Sequence, residues 1–107
     1  MWDLLILLQG WATELLWSTT NLEAAGADRL YELEASGAAI PFEALLDLIK
    51  GVNQVIDGEF VGRSRAGAIV MTIRAVDSTA FDVEAVDPRV AELVESSFKQ
   101  TRRFSTT

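Results

Sequence analysis

The pattern of apolar positions at the start of the chain predicts a helix. The first seventeen residues read MWDLLILLQGWATELLW and carry few polar side chains. At about 100° per residue, Asp3 and Glu14 fall on one line of a helical wheel, and apolar residues fill most of the remaining circumference. This predicts an amphipathic helix over residues 2–17 with an unusually wide apolar arc. A buried strand over residues 2–8 is the alternative, and we favour the helix because the pattern continues to Leu16.

Two more helices are predicted in the first half of the chain. Residues 18–21 are of cap and turn types, which indicates that the first helix ends there and a second begins near Leu22. This second helix ends before Gly37. Pro41 suits the first turn of a third helix, because the N–H that proline lacks has no helical partner there. The apolar residues of the third helix recur at helical spacing as far as Ile56.

The repeat of the apolar pattern then changes from 3.6 residues to 2 residues. A repeat of 2 residues is typical of strands. Alternation runs over residues 68–76 and 80–86, and a shorter run over residues 59–63 predicts a third strand. A three-residue loop between the two longer strands would place Arg74 opposite Asp82, whereas a two-residue loop would place Arg74 opposite an apolar residue. Because opposite charges that face each other across strands are favourable, we predict the three-residue loop.

A fourth helix is predicted after the strands. Asp87 is a suitable N-cap acid, and Pro88 follows it at the first helical position. We expect one domain over residues 1–107, with a tail that frays at residues 105–107. The predicted fold is α+β, with three N-terminal helices, a three-stranded antiparallel meander and a C-terminal helix, in the order ααα-βββ-α.

Composition and charge exclude several kinds of function. The chain has 107 residues, no Cys, no His and a formal net charge of −7. Without Cys or His, thiolate chemistry and zinc, copper, haem or iron–sulfur sites are not expected, whereas a carboxylate site for magnesium or calcium stays open. We name no cofactor and no metal ligand. The acidic charge is concentrated in residues 1–60. It argues against nucleic acid and anionic membranes, and it favours a basic protein partner or simple solubility.

The start of the chain also argues against a membrane protein. A signal peptide begins with basic residues, whereas Asp3 is acidic. A membrane-spanning helix needs about 20 consecutive apolar residues, and the first apolar run is shorter and contains Asp3 and Glu14. We therefore expect a cytoplasmic protein that does not bind membranes.

Two groups of carboxylates have the spacing of acid–base or metal sites. Four acidic residues lie within residues 77–87, and Glu43 and Asp47 are about one helical turn apart. Strand alternation separates the first group, because only Asp82 and Glu84 share a strand face. The second pair shares its line on the helix with other polar side chains, as on a solvent-exposed face. We interpret both groups as charges that face solvent, and we name no catalytic residue.

The tryptophans cluster near the start of the chain. All three, at positions 2, 11 and 17, lie in the first seventeen residues. We interpret them first as core residues, and the alternative is an aromatic interface, since tryptophan is enriched where few residues carry most of the binding energy. One small core cannot cover the wide apolar arc, so we expect a second chain at its edges. Together with acidic residues of the second helix, the predicted partner-binding residues are Trp2, Leu7, Leu16, Trp17, Glu32 and Glu34.

These observations predict a small, acidic interaction or regulatory protein without catalysis of its own. It would bind a protein partner and form a homodimer or another homo-oligomer. The alternative is a small-ligand-binding or enzyme domain with an apolar pocket and a carboxylate that acts as acid or base. A closed apolar pocket with a convergent carboxylate would favour the alternative, whereas a filled core with an exposed apolar patch would favour an interaction protein.

Overall fold

The computed structural model describes residues 1–52, 54–76, 80–97 and 103–106. Within these residues, helices and strands alternate along the first half of the chain. In chain order the elements are α1 (Trp2–Ala12), β1 (Leu16–Ala25), α2 (Asp28–Ser36), β2 (Ile40–Pro41), α3 (Phe42–Lys50), β3 (Gln54–Arg63), β4 (Ile69–Val76), β5 (Ala80–Ala85), α4 (Pro88–Ser97) and β6 (Arg103–Thr106).

The strands form a single sheet in the order β2-β1-β3-β4-β5-β6. Strands β1 to β5 pair in antiparallel fashion, and β6 pairs with β5 in parallel. The α+β class is therefore correct, but the predicted three-stranded meander and the order ααα-βββ-α are wrong. Strands β1 and β2 separate the first three helices, and β1 lies next to β3 inside the sheet.

Helix α1 is shorter than predicted, because the chain after it continues as strand β1. The helix ends at Ala12, and the indole N–H of Trp17 donates a hydrogen bond of 3.2 Å to the Ala12 carbonyl. Trp17 and Thr19, two residues apart, both point into the core. The Ser-Thr-Thr run that we interpreted as a turn suits a strand, since β-branched residues pack well on a pleated surface.

Strand β1 is irregular near its end, where α2 packs against it. Asn21 adopts a left-handed backbone conformation with φ of 54°. Beyond it, the Leu22 N–H donates a 2.7 Å hydrogen bond to the Glu34 carboxylate. The Tyr31 hydroxyl accepts a 2.9 Å hydrogen bond from the Ala24 N–H and donates to the Ala24 carbonyl. Helix α2 thus supplies partners to backbone groups of β1 beyond Leu16 and Trp17, the residues that pair with β2.

Helix α3 also ends earlier than predicted. It stops at Lys50, and β3 begins at Gln54. The segment predicted as the end of the third helix is therefore a strand, which extends the predicted strand over residues 59–63 toward the N-terminus. The side chain of Ile56, which we placed in the apolar stripe of the third helix, lies outside the described part of the structure.

The predicted hairpin register is confirmed. Arg74 pairs with Asp82 and Ile73 with Val83, and the flanking pairs follow the same register. Matching apolar residues on one face and opposite charges on the other thus specify how β4 and β5 align. The predicted loop itself, residues 77–79, lies outside the described residues.

The C-terminal part contains both an expected and an unexpected element. Helix α4 begins at Pro88, and the Asp87 carboxylate accepts a 2.9 Å hydrogen bond from the Arg89 N–H, as expected of an N-cap. Arg103–Thr106 forms strand β6 beside β5. The sequence suggested a frayed tail at residues 105–107, which overlaps this strand.

The four helices of the described chain pack against one face of the sheet. The core residues of β1, β3, β4 and β5 alternate along each strand and belong to the same cluster as the apolar residues of the helices. Trp17, Phe42 and Phe60 are the largest fully buried side chains. Below Trp17, a Cβ on Gly62 would lie 2.8 Å from the indole ring, so this strand position requires glycine. The opposite face of the sheet carries a different set of residues.

Candidate interaction surfaces

The face of the sheet that points away from the helices is the first candidate surface. It lines a cleft of about 370 Å³ that is open to solvent. We call it the open sheet face, and define it by residues of β3 to β5 and their ends: Glu59, Val61, Arg63, Ile69, Val70, Thr72, Arg74, Asp82, Glu84 and Val86.

Charged residues at the centre of the open sheet face are paired with one another. Arg74 lies 3.2 Å from Glu59, 3.1 Å from Glu84 and 3.7 Å from Asp82. Burial alone would lower the pKa of Arg74, but the hydrogen bonds and charges of Glu84 and Glu59 outweigh burial and raise it. We expected Asp82 and Glu84 to share a face, and they do. Asp82 is nevertheless only 6% exposed, so the cluster is an ion-pair network and not a set of solvated charges.

One end of the open sheet face is apolar. Val86 is 61% exposed and Ile69 is 54% exposed, the highest values among the large apolar residues of the described chain. Val86 is held beside Val70 by a backbone hydrogen bond of 3.1 Å from its N–H to the Val70 carbonyl. Val61 lies next to them in the lining of the cleft. The face therefore combines a polar centre with an apolar end, as interaction surfaces commonly do.

The arrangement of the carboxylates does not favour acid–base chemistry. Those of the open sheet face contact Arg74, and their cleft opens to solvent. On the helical side, Asp47 pairs with Arg29 at 3.6 Å, and both side chains are about 70% exposed. Among the residues that the structure describes, no group of three or more acidic side chains is arranged to hold a metal ion.

The outward side of α1 is the second candidate surface. Leu4, Leu5 and Leu8 of this helix are buried, whereas Trp2 is 40% exposed and Ile6 is 41% exposed. The helix lies between α3 and α4, with which it makes its main contacts. We call its exposed side the outer face of α1, and define it by Trp2, Asp3, Ile6, Gln9, Gly10 and Thr13.

The structure does not bring the predicted partner-binding residues into one surface. Trp2 is exposed at the start of α1. Leu7 and Leu16 are half-buried, one in α1 and the other in β1. Trp17 is fully buried and packs against Phe42, with ring centroids 6.2 Å apart, so its side chain is not part of any surface.

The two acidic residues predicted on the second helix have different environments. Glu32 is exposed on α2. Glu34 is half-buried, and its carboxylate accepts the hydrogen bond from the Leu22 N–H. Glu34 therefore holds α2 against β1, whereas Glu32 remains a surface charge.

Sequence reasoning missed the exposed apolar residues Ile6, Ile69 and Val86. Two of them carried a usable signal, whereas the alternation of residues 68–76 groups Ile69 with the apolar face of its strand. Ile6 flanks the polar line of the first helix on the helical wheel. Val86 shares its strand alternation with Glu84, which places it on the polar face of the hairpin. An apolar residue at a polar position of a pattern is the feature to look for.

The start of α4 carries a small polar cluster. The Arg89 guanidinium contacts the Asp87 carboxylate in a two-pronged arrangement. Hydrogen bonds from the Arg89 side chain and backbone hold the pKa of Asp87 well below its usual range. The same contact raises the pKa of Arg89.

Comparison with known protein families, with curated proteins and with solved structures finds no match to this chain. None of the helices within the described ranges has the length and apolar character needed to cross a membrane.

Proposed function

We propose that this chain is an interaction protein that binds another protein through the open sheet face and performs no catalysis of its own. The observation that carries the proposal is the apolar end of that face, where Ile69 and Val86 are more than half exposed. A regulatory role and a cytoplasmic location belong to the same proposal, and fractionation of host cells would test the location.

The amount and position of this apolar surface support binding. Antiparallel sheets often expose one face to water, and such a face is normally polar. Here Val70 and Val86 line the same cleft as Ile69, and Val61 forms a buried part of its wall. Contiguous apolar patches rimmed by polar residues are typical of protein–protein contact sites.

The charges on the face suggest the chemistry of the partner. Glu59 and Glu84 contact Arg74 and still expose about a third of their side chains. They can accept hydrogen bonds from a partner while the valines receive its apolar side chains. The net charge of −7 also favours association with a basic protein. We therefore propose a partner segment with apolar side chains next to Lys or Arg.

The ligand-binding or enzyme alternative gains no support from the same observations. It requires an enclosed apolar pocket with a convergent carboxylate. The cleft on the open sheet face is open to solvent, and its acidic groups are paired with Arg74.

Affinity capture with matched variants tests the proposal. The wild-type chain and an Ile69→Glu/Val86→Glu variant would be used to capture proteins from the native host. Ile6→Glu is the control, since it adds a charge at an exposed apolar position outside the open sheet face. We expect a partner that wild type and Ile6→Glu retain and that the double variant loses. Circular dichroism and thermal unfolding would show that all three chains are folded.

Retention of the same partner by Ile69→Glu/Val86→Glu at the wild-type level would contradict the proposed surface. Because both positions are more than half exposed, new carboxylates there can remain hydrated, and we expect little effect on folding.

A further inference from the structure

Strand β6 covers the outer edge of β5. It pairs with β5 over four positions, from Asp82 to Ala85, and the two strands run in parallel. The other paired strands of the described sheet are antiparallel. Parallel pairing is slightly less stable per residue than antiparallel pairing. This edge of the sheet is therefore closed by a short and comparatively weak strand that follows α4.

The residues of β5 determine what kind of strand fits at this edge. Val83 and Ala85 are buried in the core. Asp82 and Glu84 alternate with them and belong to the open sheet face. Because residues that pair across neighbouring strands share a face of the sheet, apolar residues suit the positions opposite the valine and the alanine. Polar or basic residues suit the positions opposite the two acids.

The charge of the neighbouring network favours a basic strand. The carboxylates of Glu59, Asp82 and Glu84 share a single guanidinium, that of Arg74. The network is therefore net negative, and two of its acids belong to the strand that forms the edge. Opposite charges attract more strongly at a partly buried site than in water, so basic residues are favoured beside these two acids.

Strand β6 itself has this chemistry. Its first residue, Arg103, pairs with Asp82, and the next residue, Phe104, pairs with Val83. The sequence around the strand, KQTRRFSTT at residues 99–107, contains one Lys and two Arg but no acidic residue. The chain thus contains an example of the segment that this edge accepts.

We propose that the outer edge of β5 is a strand-addition site, at which an extended segment of the protein partner takes the place of β6. The partner segment has basic and apolar residues in alternation. Main-chain hydrogen bonds to β5 hold it, and its alternate side chains give specificity. The inference rests on the proposed function, because this edge borders the open sheet face and the segment has the chemistry proposed for that partner.

In the free chain, β6 competes with the partner for this edge. A segment of the same chain is present at an effective concentration that is of the order of mM for a short flexible connection. The apparent affinity for a partner is reduced by the fraction of chains in which the edge is open. Detachment of β6 should therefore strengthen binding at this edge.

A labelled peptide with the sequence of residues 99–107 serves as the probe, and fluorescence anisotropy measures its binding to the 107-residue chain and its variants. In Phe104→Asp, a charge replaces the residue that pairs with the buried Val83, which disfavours β6. We expect this variant to bind the peptide at least about tenfold more tightly than wild type. Thr107→Asp, the matched control, adds the same charge outside Arg103–Thr106 and should bind like wild type.

Arg103→Glu provides a second way to detach β6, which changes no residue opposite the core positions of β5. It places a carboxylate at the position that pairs with Asp82, where like charges repel. We expect the same increase in peptide affinity. Circular dichroism and thermal unfolding would show that the variants are folded.

Two further measurements test the mode of binding. A peptide that carries Arg102→Glu and Arg103→Glu should bind the Phe104→Asp chain at least about tenfold more weakly than the unaltered peptide. The unaltered peptide should slow hydrogen exchange at the amides of β5, since an added strand protects backbone N–H groups. Equal affinity of the folded variants and wild type for the peptide would overturn the proposal. Equal binding of the two peptides, or unchanged exchange in β5, would also overturn it.

The peptide experiment needs no host protein, so its result is separate from the affinity capture. We also expect Phe104→Asp to capture more of the host partner than wild type does. A partner that Ile69→Glu/Val86→Glu loses, but that Phe104→Asp and wild type capture equally, would overturn strand addition and leave the proposed surface intact. Retention of the partner by the double variant, together with tighter peptide binding by Phe104→Asp, would contradict the proposed surface alone.

Discussion

At the scale of single residues, Arg74 organises the open sheet face. It is the common partner of Glu59, Asp82 and Glu84. These carboxylates lie on β3 and β5, the strands on either side of β4. Without a cation, these carboxylates would lie close together on a partly buried sheet face, where like charges repel more strongly than in water. The favourable cross-strand pair predicted between Arg74 and Asp82 is therefore one part of a four-residue network.

We expect Arg74→Met to destabilise the fold by about 1–3 kcal/mol, a range reduced from that of buried pairs because Arg74 is 36% exposed. Urea unfolding at pH 7 measures the loss. Arg29→Met, which removes the exposed contact to Asp47, is the matched control and should cost less than about 0.5 kcal/mol. Equal losses for the two variants would show that the network adds nothing to stability.

At the scale of secondary-structure elements, α2 and α4 are held by side chains that bond to backbone groups. Tyr31 and Glu34 tie α2 to the irregular end of β1. Asp87 caps α4 and contacts Arg89. In both cases a side chain accepts a hydrogen bond from a backbone N–H that has no partner in the helix or in the sheet.

Glu34→Gln tests the attachment of α2. Glutamine keeps an acceptor oxygen but loses the charge that strengthens the bond from the Leu22 N–H. We expect a loss of about 0.5–1.5 kcal/mol in the free energy of unfolding. Glu32→Gln, two positions away and exposed, should be close to neutral. If both variants unfold like wild type in urea, the hydrogen bond of Glu34 does not stabilise α2.

Asp87→Asn tests the cap through its dependence on pH. The pKa of Asp87 is lower in the folded chain than its unfolded value of about 3.9. Its contribution to stability is therefore fully present above the unfolded pKa and is lost as the pH falls below it. Between pH 6 and pH 2, the thermal midpoint of Asp87→Asn should fall less steeply than that of wild type. Parallel curves for the two chains would contradict this role.

The hairpin could be predicted from sequence, because its strands are adjacent in the chain. The pairing of Arg74 with Asp82 and of Ile73 with Val83 depends only on alternation and loop length. Strand β1 could not be predicted in the same way. Trp17 fits a helical wheel as well as a strand, and its pairing with Gly62 joins residues far apart in sequence. Such distant pairing decides between helix and strand where the local pattern permits both.

Only part of the candidate surfaces could be predicted from the sequence. The shared face of Asp82 and Glu84 followed from alternation, whereas the exposure of Val86 depends on which side of the sheet the helices cover. Trp2 was identified as a surface residue from its place on the wheel. Trp17 was grouped with it because both were assigned to one helix, and the strand β1 separates them.

At the scale of the whole molecule, the fold leaves two surfaces on opposite sides of the sheet. Helices fill one side, and the outer face of α1 forms part of that exterior. The open sheet face occupies the other side and holds the most exposed large apolar residues of the described chain. A partner bound there would leave the exposed side of α1 accessible.

The most direct test of the account is a nuclear magnetic resonance titration of the ¹⁵N-labelled chain with the partner captured by wild type. We predict that the largest changes in amide chemical shift fall on β3, β4 and β5 and on Val86. Amides of α2 and α3 should change little, since these helices pack against the other side of the sheet. Changes centred on the helices, with the strands unaffected, would contradict the claim that the open sheet face binds the partner.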